Sequence, residues 1–179
     1  MRKLGTDKQI EKKRKSSALI SVFFLAILVF GTVGYAFLSG PDKSTKQEPQ
    51  TTTPEGKWAI SFEGQTFYLT NPTEDTKDVE VSATNTLNNY VNAQVYIASN
   101  NDAVNSELAE VLAKYTSKMQ KACYGKCEED LPEKDCTANL IIWKDSTENK
   151  VYQEQNCVFI EGDLKAVDAF LYHLLGIPR

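Results

Sequence analysis

The apolar positions of this chain form one unbroken run and then several periodic ones. Ala18 to Leu38, ALISVFFLAILVFGTVGYAFL, contains 21 residues and no charge. At about 1.5 Å rise per residue a helix of that length covers roughly 30 Å, the hydrocarbon thickness of a bilayer, which predicts a transmembrane helix over 18–38. Gly31 and Gly34 are spaced G-x-x-G, not the G-x-x-x-G of closely packed spans. The competing reading is a cleaved signal peptide, with Gly34-Tyr35-Ala36 as a small-x-small site. The run is longer than the apolar core of about 7–15 residues that signal peptides use, and Phe37 and Leu38 prolong it, so an uncleaved signal-anchor is preferred.

Beyond the run the pattern changes twice. Residues 39–56, SGPDKSTKQEPQTTTPEG, hold three prolines, a run of Thr and no large apolar residue, which predicts a flexible stalk. From Lys57 the periodicity returns, so a folded domain is placed at 57–179. Trp58, Ile60 and Phe62 alternate with small or polar residues, Glu63-Gly64 turns the chain, and Phe67 and Leu69 follow, a hairpin pattern. Residues 73–93 carry mixed signals and no element is assigned there. Val95–Ala98 reads as a short buried strand.

Asn100-Asn101-Asp102 offers a helix N-cap, and Val104, Leu108, Val111, Leu112, Tyr115 and Met119 recur on one helical face to about Ala122. After a loop with three cysteines come strands at Leu140–Trp143 and Val151–Ile160, joined by a polar turn at 148–150. Gly162-Asp163 caps a last helix with Leu164, Val167, Phe170, Leu171, Leu174 and Leu175 on its apolar side, ended by Gly176 and Pro178. The fold class expected is α+β: an N-terminal transmembrane helix, then a small domain with a mainly antiparallel sheet and two amphipathic helices on one side of it.

Charge gives the run an orientation. Residues 1–38 carry seven Lys/Arg against Asp7 and Glu11, whereas residues 39–179 carry 13 Lys/Arg against 22 Asp/Glu. The positive flank of a span stays in the cytoplasm, so residues 1–17 are read as a basic cytoplasmic tail and the C-terminal domain as lying outside the cell membrane. The cluster Lys12-Lys13-Arg14-Lys15 is accordingly a topology signal rather than a nucleic-acid patch. The lipid bilayer is the partner expected for Ala18 to Leu38. An acidic outer domain argues against nucleic acid.

Cys123, Cys127, Cys136 and Cys157 are the informative constellation. All four lie outside on this topology and their number is even, which favours two disulfides. The pairing preferred among three is Cys123–Cys127 with Cys136–Cys157. The alternative is a zinc site built from the same four thiolates, but the spacings are not those of C-x2-C or C-x4-C knuckles. A redox thiol is disfavoured because Cys123 is expected at a helix C-terminus and the loop carries Glu128, Glu129, Asp130, Glu133 and Asp135, all unfavourable to thiolate.

The acidic loop matches no EF-hand spacing. His173 is the only histidine and no nucleophile, metalloprotease or phosphate-loop motif accompanies it, so no catalytic residue and no cofactor are assigned. Trp58, Trp143 and Tyr96 are read as core aromatics.

VYIA at 95–98, the amphipathic helix running into Ala122-Cys123, then NCVFIEGD and AVDAFLYHLLGI together resemble a group of single-span archaeal membrane proteins without an assigned activity. The resemblance implies an exported, N-anchored α+β domain and carries no ligand or catalytic residue. The function expected is a membrane-anchored, non-catalytic binding or structural module at the cell surface with a protein or surface partner. The alternatives are an envelope enzyme or accessory factor with an unrecognised site, and a cysteine metal-binding domain.

Overall fold

Alternation in the first apolar segment builds a three-stranded sheet. β1 (Thr51–Thr52), β2 (Trp58–Phe62) and β3 (Gln65–Leu69) lie in that order and pair antiparallel, with Ile60 opposite Phe67. Glu63 (φ 49°) and Gly64 (φ 76°) supply the two positive φ values of a tight two-residue hairpin turn. The computed structural model describes residues 51–54, 56–127 and 130–179. The span expected at Ala18–Leu38, the basic tail and residues 39–50 of the stalk lie outside the described residues, as do Glu128 and Glu129. Among the described residues no helix is long and apolar enough to cross a membrane. The stalk expected to run to Gly56 gives way earlier, because Thr51 and Thr52 pair with Ala59 and Trp58.

The segment left unassigned holds a 3-10 turn at Thr73–Thr76, β4 (Glu80–Ser82) and a second 3-10 turn at Leu87–Asn89 with a Thr86/Asn89 capping box. There follow β5 (Gln94–Ala98), α1 (Asp102–Leu112), β6 (Lys118–Lys121), β7 (Cys123–Tyr124), β8 (Glu133–Lys134), β9 (Leu140–Lys144), β10 (Lys150–Glu154), β11 (Cys157–Glu161) and α2 (Leu164–Leu174). The N-caps are those the sequence offers: Asn101 accepts from Ala103 N and Val104 N, and Asp163 accepts from Lys165 N.

The second sheet, ordered β4-β10-β11-β9-β5-β6, is mixed, so the mainly antiparallel arrangement expected of the domain holds for the first sheet and not for this one. Only β10–β11 is antiparallel within it; β4–β10, β9–β11, β5–β9 and β5–β6 are parallel. Two features of the chain lie behind the difference. Val151–Ile160 is a hairpin of two strands turning at Gln155 (φ 53°), so β9 pairs with β11 rather than with the strand next in sequence. The first helix also ends at Leu112 and not near Ala122. Asn92 N donates to Tyr115 O and Ser117 N to Ala93 O, both at 2.9 Å, which redirects the chain into β6 beside β5. Met119 therefore packs on the core from a strand and not from a helix.

Strand alternation splits the apolar side chains between two faces. Val95, Ile97, Ile141, Val151, Val158 and Ile160 join the main core with Val104, Leu108, Val111 and Leu112 of α1 and Val167, Phe170, Leu171 and Leu174 of α2. Each such buried side chain contributes about 1.5–3 kcal/mol relative to exposure. The first hairpin closes this core through Ile60, Phe67 and Leu69. Leu140, Ile142, Cys157 and Phe159 form a second, smaller cluster on the opposite face, with Tyr96, Ala98, Cys136 and Tyr152 packed against it.

Candidate functional site

That second face carries no helix. Its cover is the cysteine loop that follows β6. Sulfur atoms stand at bonding distance in two pairs, Cys123–Cys127 and Cys136–Cys157, the pairing preferred from the sequence. Cys157 lies in β11, so its bond ties the loop to the middle of the sheet. A zinc site of four thiolates would require both bonds to be reduced. Cys123 corrects one expectation: it opens β7 after a strand and does not end a helix, so the helix dipole has no part in its chemistry. Among the described residues no group of His, Cys, Asp and Glu is arranged to hold a metal.

Aromatic rings and lysines line the face. Phe159 stacks on Tyr152 at 4.9 Å between centroids, and Tyr124 of β7 meets it edge-on at 5.6 Å. Lys134 Nζ stands 4.5 Å above Tyr96, Lys144 5.4 Å above Phe159 and Lys150 5.8 Å above Tyr152. Tyr96 is thus a ring of this face and not a residue of the main core. Lys150 also meets Glu161 Oε2 at 3.0 Å, and Tyr152 OH donates to Glu161 Oε1 at 3.0 Å. The Lys150 hydrogen bond, then that of Tyr152, holds the Glu161 carboxyl below its usual range. Tyr124 is 45% exposed. An open cleft of about 440 Å³ runs along the loop between Gly125, Lys126, Lys134 and Thr137, and Asp135 accepts from Thr137 N and Oγ1 to hold the loop's turn.

A second polar cluster lies on the helix side. Glu107 of α1 and Asp168 of α2 are 2% and 0% exposed. Glu107 Oε1 accepts from Thr70 N, and Oε2 meets Lys57 Nζ at 2.8 Å. Asp168 Oδ2 accepts from Asn71 N at 2.7 Å and Asn71 Nδ2 at 2.8 Å, while Tyr172 OH donates to Asn71 O at 2.7 Å. Burial first, then the charge of Glu107, pushes the Asp168 carboxyl up to about 8.

Sequence reasoning missed both acids, yet each carries a signal. Glu107 sits between Val104 and Val111 at helical spacing, and Asp168 between Leu164 and Leu171, so each acid interrupts the apolar stripe of its own helix. His173, the lone histidine, is half-buried on α2, and its Nε2 finds no hydrogen-bond partner among the described residues. Comparison with protein-family models, with curated proteins and with solved structures finds no match to this chain.

Proposed function

We propose that this chain is a membrane-tethered extracytoplasmic module that recognises a protein partner through the helix-free face of its mixed sheet. The observation that carries the reading is the pair of disulfides beside that face. Such bonds persist in oxidising compartments, and the charge asymmetry about Ala18–Leu38 supports the same side of the membrane. Tyr96, Tyr124 and Tyr152, exposed or half-exposed on a face without a covering helix, are of the aromatic type that protein interfaces concentrate at their centres. The span serves as tether and the bilayer as its partner, in keeping with the resemblance to single-span archaeal membrane proteins.

An envelope enzyme is the second reading, favoured by one observation, the raised Asp168 carboxyl. That group is walled in by Asn71 and Glu107 and does not line the cleft between Gly125, Lys126, Lys134 and Thr137. The binding reading therefore has the better support.

The test is made on intact cells expressing the full chain. A membrane-impermeant maleimide is applied before and after an impermeant reductant. Labelling that needs the reductant but not permeabilisation is the expected result. Labelling without reductant, or only after permeabilisation, overturns the placement.

A further inference from the structure

Two carboxylates buried side by side repel each other and forgo hydration, a combination that is strongly unfavourable unless one of them keeps a proton. Glu107 and Asp168 present this situation between α1 and α2. Asp168 Oδ2 is occupied by Asn71, whereas its Oδ1 is buried and finds no donor among the described residues. An oxygen without a donor is satisfied if it carries the hydrogen itself. Glu107 is the acceptor that Asp168 faces.

We propose that Asp168 and Glu107 share one proton, and that this proton latches the first hairpin and the strand end that follows it onto the two helices. The neutral Asp168 donates from Oδ1 to the Glu107 carboxylate, leaving one net negative charge for Lys57 Nζ to balance. Loss of the proton to solvent leaves two. The groups that face the pair cannot absorb the second charge. α1 presents Glu107 itself and the hairpin presents Lys57. Residues 70–71 present backbone N–H groups and the Asn71 amide. The 3-10 turn at Thr73–Thr76 buries only Thr73 and Thr76, and α2 adds the Tyr172 hydroxyl, already given to Asn71 O.

What the pair holds is a sheet edge. β3 is the outer strand of its sheet, and side chains of α1 and of Lys114 just beyond it take the place of a fourth strand. Tyr68 N donates to Glu110 Oε1 at 3.1 Å, Thr70 N to Glu107 Oε1, and Lys114 Nζ to Thr66 O at 2.9 Å. Opening of this edge hydrates Asp168 and frees it to ionise, so proton loss favours opening. Folded Asp168 titrates near 8 against an ordinary 3.8. The closed form therefore binds more protons than the open form across that window. Its advantage is full in acid, falls as pH rises from about 4 to about 8 by up to tenfold per unit, and changes no further above.

The experiment is hydrogen–deuterium exchange on the full chain from pH 5 to 8.5, corrected for the intrinsic pH dependence of exchange. Peptides over 66–71 report the latch and peptides over 157–161 report the mixed sheet. Wild type is expected to lose protection at 66–71 with rising pH while 157–161 holds. In Asp168→Asn the amide supplies a permanent hydrogen to Glu107 and the slope at 66–71 should vanish. If Asp168→Asn loses protection at 157–161 as well, Glu107→Gln is read instead. Removing the neighbouring charge should then move the loss to lower pH in Glu107→Gln or abolish it. A flat wild-type profile, an unchanged slope in Asp168→Asn, an unshifted loss in Glu107→Gln, or loss at 157–161 in step with 66–71 overturns the proposal.

Discussion

Cys136 and Cys157 stand 4.8 Å apart at Cα, one in the loop after β8 and the other at the start of β11, and their bond closes 21 residues of chain. A closure of that length stabilises a fold by about 3 kcal/mol through the unfolded chain, whereas Cys123–Cys127, four residues apart, should contribute about 2 kcal/mol. The double variant Cys136→Ser/Cys157→Ser should therefore lose more in denaturant midpoint than Cys123→Ser/Cys127→Ser. It should also let Lys134 leave Tyr96, because hydrogen bonds such as Asn156 N to Cys136 O and Asn156 Nδ2 to Thr137 O hold the loop to the strand less firmly than the covalent bond does. Equal losses would mean that chain closure is not how the second bond acts.

The binding surface predicts an asymmetry between two exposed tyrosines. Tyr124 (45% exposed) lies beside Phe159 on the helix-free face, and Tyr68 (42% exposed) lies on β3. A photo-crosslinking benzophenone residue at position 124 of the full chain in native membranes should form a discrete adduct, and the same residue at 68 should not. Tyr124→Ala should change stability by no more than about 1 kcal/mol, as for other exposed positions. Adducts at both positions alike, or at neither, would remove the support for this face.

Gly162 shows how a glycine can be read from sequence for the wrong reason. It was legible as a helix start with Asp163, yet its place is set by Asn149: a Cβ on Gly162 would stand 1.9 Å from Asn149 Oδ1, and φ is +117°. Asn149 Oδ1 accepts from Asp163 N at 2.9 Å, so it cannot swing away without freeing that donor. Gly162→Ala should cost more than about 2 kcal/mol, combining backbone strain with the lost hydrogen bond. Thermal unfolding of the full chain measures it, and a loss below about 0.5 kcal/mol would contradict the geometry.

What the sequence made legible follows from the range of each interaction. The hairpin at Trp58–Leu69, the Asn101 and Asp163 caps and both helix starts depend on neighbours within a few residues, and all are where the pattern places them. Partners that meet across long separations were not legible. The parallel pairing of β9 with β11 needs the turn at Gln155, which no glycine or proline marks. Met119 keeps helical spacing with Val111 and Leu112 although Thr116-Ser117 carries the chain into a strand. At the candidate face Tyr96, Tyr152 and Phe159 come from three strands, so only the register of the mixed sheet brings them together.

Gln153 is a further long-range node. Its Oε1 accepts from Thr84 N at 2.8 Å and Asn85 N at 2.9 Å, while its Nε2 donates to Asn85 Oδ1 at 3.1 Å and Gln155 O at 2.7 Å. Asn85 Nδ2 in turn donates to the hydroxyl of Tyr90, a fully buried phenol that desolvation pushes up to about 12. Gln153→Ala leaves the buried Asn85 without two of its partners and should cost about 1–3 kcal/mol. Gln153→Glu keeps the acceptor for Thr84 and Asn85 but places a second acceptor against Asn85 Oδ1 and Gln155 O. At neutral pH it should therefore recover part of the loss and not all of it. Denaturant midpoints of the three proteins decide the matter, and a Glu variant as stable as wild type would mean that the amide hydrogens do not hold residues 84–85 to β10.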